Sequence, residues 1–141
     1  MIFTPDEIAY LTSQRLGRVA TVQRNGSIQN NPVVYWYNAD AGTIDVGGRA
    51  LAETQKFRNI AANGKVSIVI DEIVSVKPWR VRGMEIRGRG EALTDQPVPP
   101  HLVFLSSELI RIYPARVFTW GIDPEHLAMT RRTVTPVSTS R

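Results

Sequence analysis

Apolar residues recur along this chain first at helical spacing and then, from residue 18 onward, at every second position. The helical stretch opens at Thr4-Pro5-Asp6-Glu7. Threonine there can cap free amides, proline suits a first turn, and Glu7 completes a reciprocal capping box. Ile8 and Leu11 predict a buried stripe, and Gly17 lies just past the expected end of the helix. Residues 18–23 and 28–37 then read as two strands joined by Asn25-Gly26, a dipeptide that tight hairpin turns select. Pro32 removes a ladder donor from the second strand, which predicts an edge or a bulge at Asn31-Pro32-Val33. A third strand is expected at 43–46. A helix over 52–62 should bury Phe57, Ile60 and Ala61 and stop at Asn63-Gly64, with a fourth strand at 65–70.

Residues 81–93 form a long alternating run: Met84, Ile86, Gly88, Gly90 and Ala92 face one side and Glu85, Arg87, Arg89 and Glu91 the other. Glycines in such a run predict a curved or bulged strand, as barrels require. Two closing strands are expected at 109–113 and 116–120, on either side of Pro114, while 101–108 reads equally as a short helix or a loop. From Thr130 onward the chain is mostly Thr, Ser, Pro and Arg and reads as a tail with little part in the core. The expected fold is mainly β within the α+β class, an antiparallel barrel of six or seven strands with helices packed outside. One domain over 1–129 would be followed by a tail over 130–141.

With 141 residues and 43% hydrophobic content the chain can bury one sizeable core. It has no cysteine, which excludes disulfides and thiolate metal ligation, and no apolar run approaches the roughly 20 residues that span a bilayer. Together with a polar start directly after Met1, this predicts a soluble cytoplasmic protein without membrane contact. The net charge of +4 is modest. Arg80, Arg82, Arg87 and Arg89 gather, but Glu85 and Glu91 interrupt them, so a solvated strand face is expected rather than a nucleic-acid footprint. An anionic small molecule suits this balance better. His101 and His126 have no partner at metal-ligand spacing, so no metal is expected. No serine lies in a nucleophile elbow, and neither a Walker lysine nor GxGxxG is present. An enzyme built this way takes its reactive group from an organic cofactor.

One segment fits such a cofactor. Gly47-Gly48-Arg49 leaves the third strand for a helix start containing Thr54 and Lys56. Glycines allow close backbone approach, and first-turn amides, a hydroxyl and an ammonium can bind phosphate oxygens. The same residues also read as ordinary turn chemistry, an N-cap and a solvated lysine. Trp36 and Trp120 read as packing. Tyr35 and Tyr37 read either as hydrogen-bonded barrel tyrosines or as a proton donor.

Several segments together carry a resemblance. Arg15-Leu16-Gly17-Arg18-Val19-Ala20-Thr21, Asn31-Pro32-Val33, Gly42-Thr43-Ile44-Asp45-Val46-Gly47-Gly48, Thr54-Gln55-Lys56, Pro78-Trp79-Arg80-Val81-Arg82-Gly83 and Arg116-Val117-Phe118-Thr119-Trp120-Gly121 resemble the pyridoxamine-phosphate-oxidase-like split β-barrel proteins. Within them the chain is similar to the deazaflavin-dependent branch, and most to the group containing the reductase of oxytetracycline biosynthesis. The resemblance implies a flavin-reductase-like split barrel, a homodimer with cofactor sites at the subunit interface, and coenzyme F420 or, alternatively, FMN. It implies that Lys56 and Thr54 hold the cofactor phosphate, that Gly48 and Arg49 approach it, and that Asn31, Pro32 and Val33 line the ring. Trp79 and Arg82 would come from the partner to close the pocket. The implied reaction is hydride transfer from reduced F420 to an electron-poor acceptor such as an enone or quinone. An FMN oxidoreductase and a non-catalytic flavin or deazaflavin carrier are the alternatives. No acid–base residue is assigned, and the chain is short for a true pyridoxamine phosphate oxidase.

Overall fold

A computed structural model describes residues 2–134. Helix α1 (Pro5–Ser13) starts on the expected capping box, with the Thr4 hydroxyl accepting from the Glu7 amide at 3.2 Å and a Glu7 carboxylate oxygen accepting from the Thr4 amide at 2.9 Å. Strands β1 (Leu16–Val22) and β2 (Ile28–Asn38) form the predicted hairpin, with Gly26 at φ 87° in its turn. Gly17 is no helix stop; it lies within β1. Strand β3 (Thr43–Gly47), a 3₁₀ turn at Leu51–Glu53, helix α2 (Gln55–Asn63) and strands β4 (Lys65–Ser75), β5 (Arg80–Leu93), β6 (Leu109–Trp120) and β7 (Thr130–Thr133) follow.

The strands form one antiparallel sheet in the order β3-β2-β1-β4-β5-β6-β7, and pairing of β3 with β6 closes the first six into a barrel. β6 divides one edge between two partners: residues 110–112 bond β3 and residues 116–119 bond β7. Val19, Ile44, Val46, Ile68, Ile70, Met84, Ile86, Ile110, Ile112 and Val117 fill the interior. Each fully buried aliphatic side chain of this kind contributes about 1.5–3 kcal/mol. Helix α1 is tied to the barrel by two phenols, Tyr35 donating to the Leu11 carbonyl at 2.6 Å and Tyr10 to that of Arg82 at 3.2 Å.

Several expectations change. The predicted pair of closing strands is one strand, because Pro114 sits where β6 carries an extra residue against β5 and needs no ladder donor. The β5 glycine opposite it, Gly88, leaves room for the Tyr113 carbonyl, which any Cβ would overlap. Helix α2 begins at Gln55, since Thr54 caps it, and it turns Asn59 inward instead of Ala61. Asn59 is satisfied there, donating to the Thr21 hydroxyl at 3.0 Å and accepting from Gln55 Nε2 at 2.7 Å. The described part of the expected tail is β7, with Val134 in the core and its amide donating to the carbonyl of the bulged Ala115 at 2.7 Å. Arg132 pairs with the buried Glu7 and donates to the Ile2 carbonyl at 2.8 Å, giving this polar strand an anchor that hydropathy does not reveal. Residues 135–141 lie outside the described part.

Candidate functional site

The segment leaving β3 is held from outside. The Gly48 carbonyl accepts from the Ser106 amide at 3.0 Å and from its hydroxyl at 2.8 Å, and the same hydroxyl accepts from the Leu51 amide at 3.2 Å. Ala50 adopts a left-handed conformation, φ 48° and ψ 45°, within this clamp. Leu51 is fully buried beneath it. Glu108 accepts from the Ala52 amide at 3.2 Å, and the Arg49 guanidinium lies 5.5 Å from the centre of the Phe104 ring. Thr54 keeps its capping role, accepting from the Phe57 amide at 3.3 Å and donating to the Leu51 carbonyl at 2.6 Å. Gly48, Arg49, Thr54 and Lys56 therefore belong to one tethered turn at the start of α2. Ser106, Phe104 and Glu108 are the residues that sequence reading missed. No signal in the sequence marked them, since the serine that bonds the Gly48 carbonyl is 58 residues away in the chain.

Lys56 differs from its neighbour Arg58, whose guanidinium donates to the Glu53 carbonyl and to Gln55 Oε1. Lys56 is half-buried and, among the described residues, has no carboxylate partner. Desolvation lowers its pKa from the usual lysine value. A cation held this way beside first-turn amides gains most from an anion, because the anion offsets the desolvation already present.

The β2 candidates do not share one face. Burial alternates along the strand, so Asn31 and Val33 lie on the side of Tyr35 and Pro32 on the opposite side with Val34 and Trp36. Val33 is 5% exposed and part of the core, so its side chain lines nothing outside the barrel. Pro32 is exposed, and β2 is an edge there because β3 pairs only from Val34 onward; the register with β1 is unbroken, so there is no bulge. Asn31 Oδ1 is buried without a hydrogen-bond partner among the described residues, an acceptor free for an N–H. Trp79 and Arg82 lie apart from the tethered turn, on the β4–β5 hairpin. Trp79 is 63% exposed, and Arg82 pairs with Glu72 and stacks 4.8 Å from the Tyr10 ring centre. Pro32 and Glu72 border one depression of about 520 Å³, which links the hairpin base to the outer face of β2. Tyr35 is committed to Leu11, and burial raises its pKa; it is a satisfied barrel tyrosine, not a proton donor.

A model of the family described as pyridoxamine 5'-phosphate oxidase matches residues 4–132. The chain belongs to that family. This pyridoxamine 5'-phosphate oxidase family member is 40% identical over 125 residues to the 5a,11a-dehydrotetracycline/5a,11a-dehydrooxytetracycline reductase of Streptomyces rimosus subsp. rimosus, covering 87% of this chain and 86% of that protein. The family fold recurs in solved structures of low identity. A conserved hypothetical protein of Mycobacterium tuberculosis superposes with a TM-score of 0.68 at 17% identity, covering 99% of this chain and 96% of the other. An FAD binding protein of Mycobacterium smegmatis superposes with a TM-score of 0.58 at 18% identity, covering 94% and 98%.

Proposed function

We propose that this family member is an oxidoreductase that binds a phosphate-bearing deazaflavin, coenzyme F420, and reduces an electron-poor small organic acceptor such as an enone or quinone. The observation that carries this reading is Lys56, a desolvated cation without a carboxylate partner on the tethered glycine turn. The reductase relative and the flavin-binding neighbour support the same chemistry. When bound, a reduced deazaflavin supplies a hydride to the acceptor. The chain's part is to bind and orient. Lys56 and the Gly48 amide take the phosphate and Arg49 flanks it, while Thr54, its hydroxyl proton given to the Leu51 carbonyl, holds the turn in shape; Asn31 Oδ1 offers an acceptor to a ring N–H. Pro32 faces the opposite side of β2 and takes no part in this contact. The proton comes from solvent or from Tyr37, which lines the neighbouring cleft, since Tyr35 is held by Leu11. Orientation in a closed pocket contributes roughly 7–11 kcal/mol to lowering such a barrier.

The working unit in this proposal is a homodimer. The β4–β5 hairpin exposes Ile73, Val74, Val76, Trp79 and Val81, an apolar cluster of the kind that marks an interaction surface. A second copy seated there would bring Trp79 to the other subunit's site. The test is a side-by-side titration of the purified protein with F420 and FMN, followed by turnover of reduced F420 with menadione and cyclohexenone. F420 binding with acceptor reduction is expected. Preferential FMN binding transfers the reading to a flavin oxidoreductase, binding without turnover makes the protein a carrier, and no binding of either refutes the proposal.

A further inference from the structure

The end of α1, the start of β1, the outer face of β2 and the turn at Pro100–Leu102 enclose a cleft of about 730 Å³, a size typical of sites for small organic molecules. Leu16, Val34 and Trp36 line one side and Phe104 lines another. Leu16 is 60% exposed and Phe104 47% exposed, so the cleft presents apolar surface without a cover among the described residues. Two of these residues also back the tethered turn. The Trp36 indole lies so close to Gly47 that a Cβ there would be 3.0 Å from the ring, and Phe104 carries Arg49. A molecule resting on Trp36 and Phe104 is thus adjacent to the proposed cofactor turn. Arg15, the one arginine or lysine lining the cleft beside His101, is exposed and, among the described residues, has no ion-pair partner.

From this combination we infer that the cleft is the acceptor site, and that it takes a planar conjugated molecule bearing an acidic group such as a carboxylate, a sulfonate or an ionised enol. The conjugated rings lie on the aromatic walls and the acid meets Arg15, whose planar fork of donors suits paired oxygens. Calling the ligand an acceptor rests on the redox reading above; binding itself does not require the cofactor. The probes are anthraquinone-2-sulfonate and its uncharged analogue 2-(hydroxymethyl)anthraquinone, titrated into the cofactor-free full chain and followed by tryptophan fluorescence. Both are expected to bind. Arg15→Gln should weaken the sulfonate about tenfold and leave the uncharged ring unchanged, while Phe104→Leu and Trp36→Leu weaken both. Absence of binding, or equal affinities of Arg15→Gln and parent for the sulfonate, overturns the inference. Failure to bind F420 or FMN instead defeats the redox reading and leaves the quinone result standing, so the two failures are distinct.

Discussion

Replacing Lys56 with methionine separates a binding cation from a structural one. The side chain lies in the first turn of α2, half-buried and, among the described residues, without a carboxylate partner. A charge-assisted hydrogen bond to phosphate contributes roughly 1.5–3 kcal/mol, so Lys56→Met is expected to weaken F420 or FMN binding by about tenfold to a hundredfold. The same change removes a desolvated charge and keeps the apolar stem, so the cofactor-free protein should melt no lower than the parent. Function and stability then move apart, which a lysine important only for folding would not produce. The pH dependence has a definite sign. The unfolded chain titrates this amine near its ordinary 10.5 and the folded chain below it, so between those values Lys56 contributes a rise of stability with pH, while the buried phenols of Tyr10 and Tyr35, whose pKa burial raises, contribute a fall above their ordinary 10.0. Cofactor affinity falls over that window as the ammonium is lost; Lys56→Met should abolish this fall, and the parent-minus-variant difference in stability should rise with pH over the same window. Fluorescence titration and thermal melts of both proteins across the alkaline range measure these quantities. Parent-like cofactor affinity in the variant, or a drop in affinity matched by a drop in melting temperature, refutes the reasoning.

Three further substitutions test other parts of the structure. Asp45 is 1% exposed and accepts from Arg111, Thr43 and Asn38, so Asp45→Asn should lower the unfolding free energy by about 3 kcal/mol in urea, and an unchanged midpoint would remove the pair from the fold's support. Gly88→Ala drives a methyl group into the Tyr113 carbonyl and should cost about 1–3 kcal/mol by the same measurement, whereas a neutral result would show that the β6 bulge can relax. Trp79→Asp places a charge in the exposed hairpin cluster and is expected to shift sedimentation toward monomer; a dimer of parent stability would exclude the hairpin from the interface.

Much of this architecture is written in short-range chemistry. The capping box at Thr4 and Glu7, the Asn25-Gly26 turn and the Thr54 cap each satisfy backbone groups within a few residues, so neighbouring letters suffice to reveal them. The unexpected features are long-range or concern orientation. Asn59 is inward because Thr21 and Gln55 satisfy it, and only tertiary contact supplies Thr21. β7 is polar along its length and earns its place through Arg132 reaching Glu7 across the sheet. Strand parity was available in principle: Asn31 and Val33 lie two residues apart and share one face, which excludes Pro32 from it. In the candidate site, Gly48, Arg49, Thr54 and Lys56 were legible because they are nearly contiguous. Ser106 was not, since a serine more than fifty residues downstream carries no sign that it will clamp a glycine carbonyl.

The shared edge of β6 has a consequence for the chain's behaviour at high concentration. Where β3 stops, β7 takes over, so the rim from Arg116 to Thr119 presents no vacant ladder to a passing strand. The open edge passes instead to β7, which at four residues with two arginines is the short, charged kind of edge that pairs poorly with another chain.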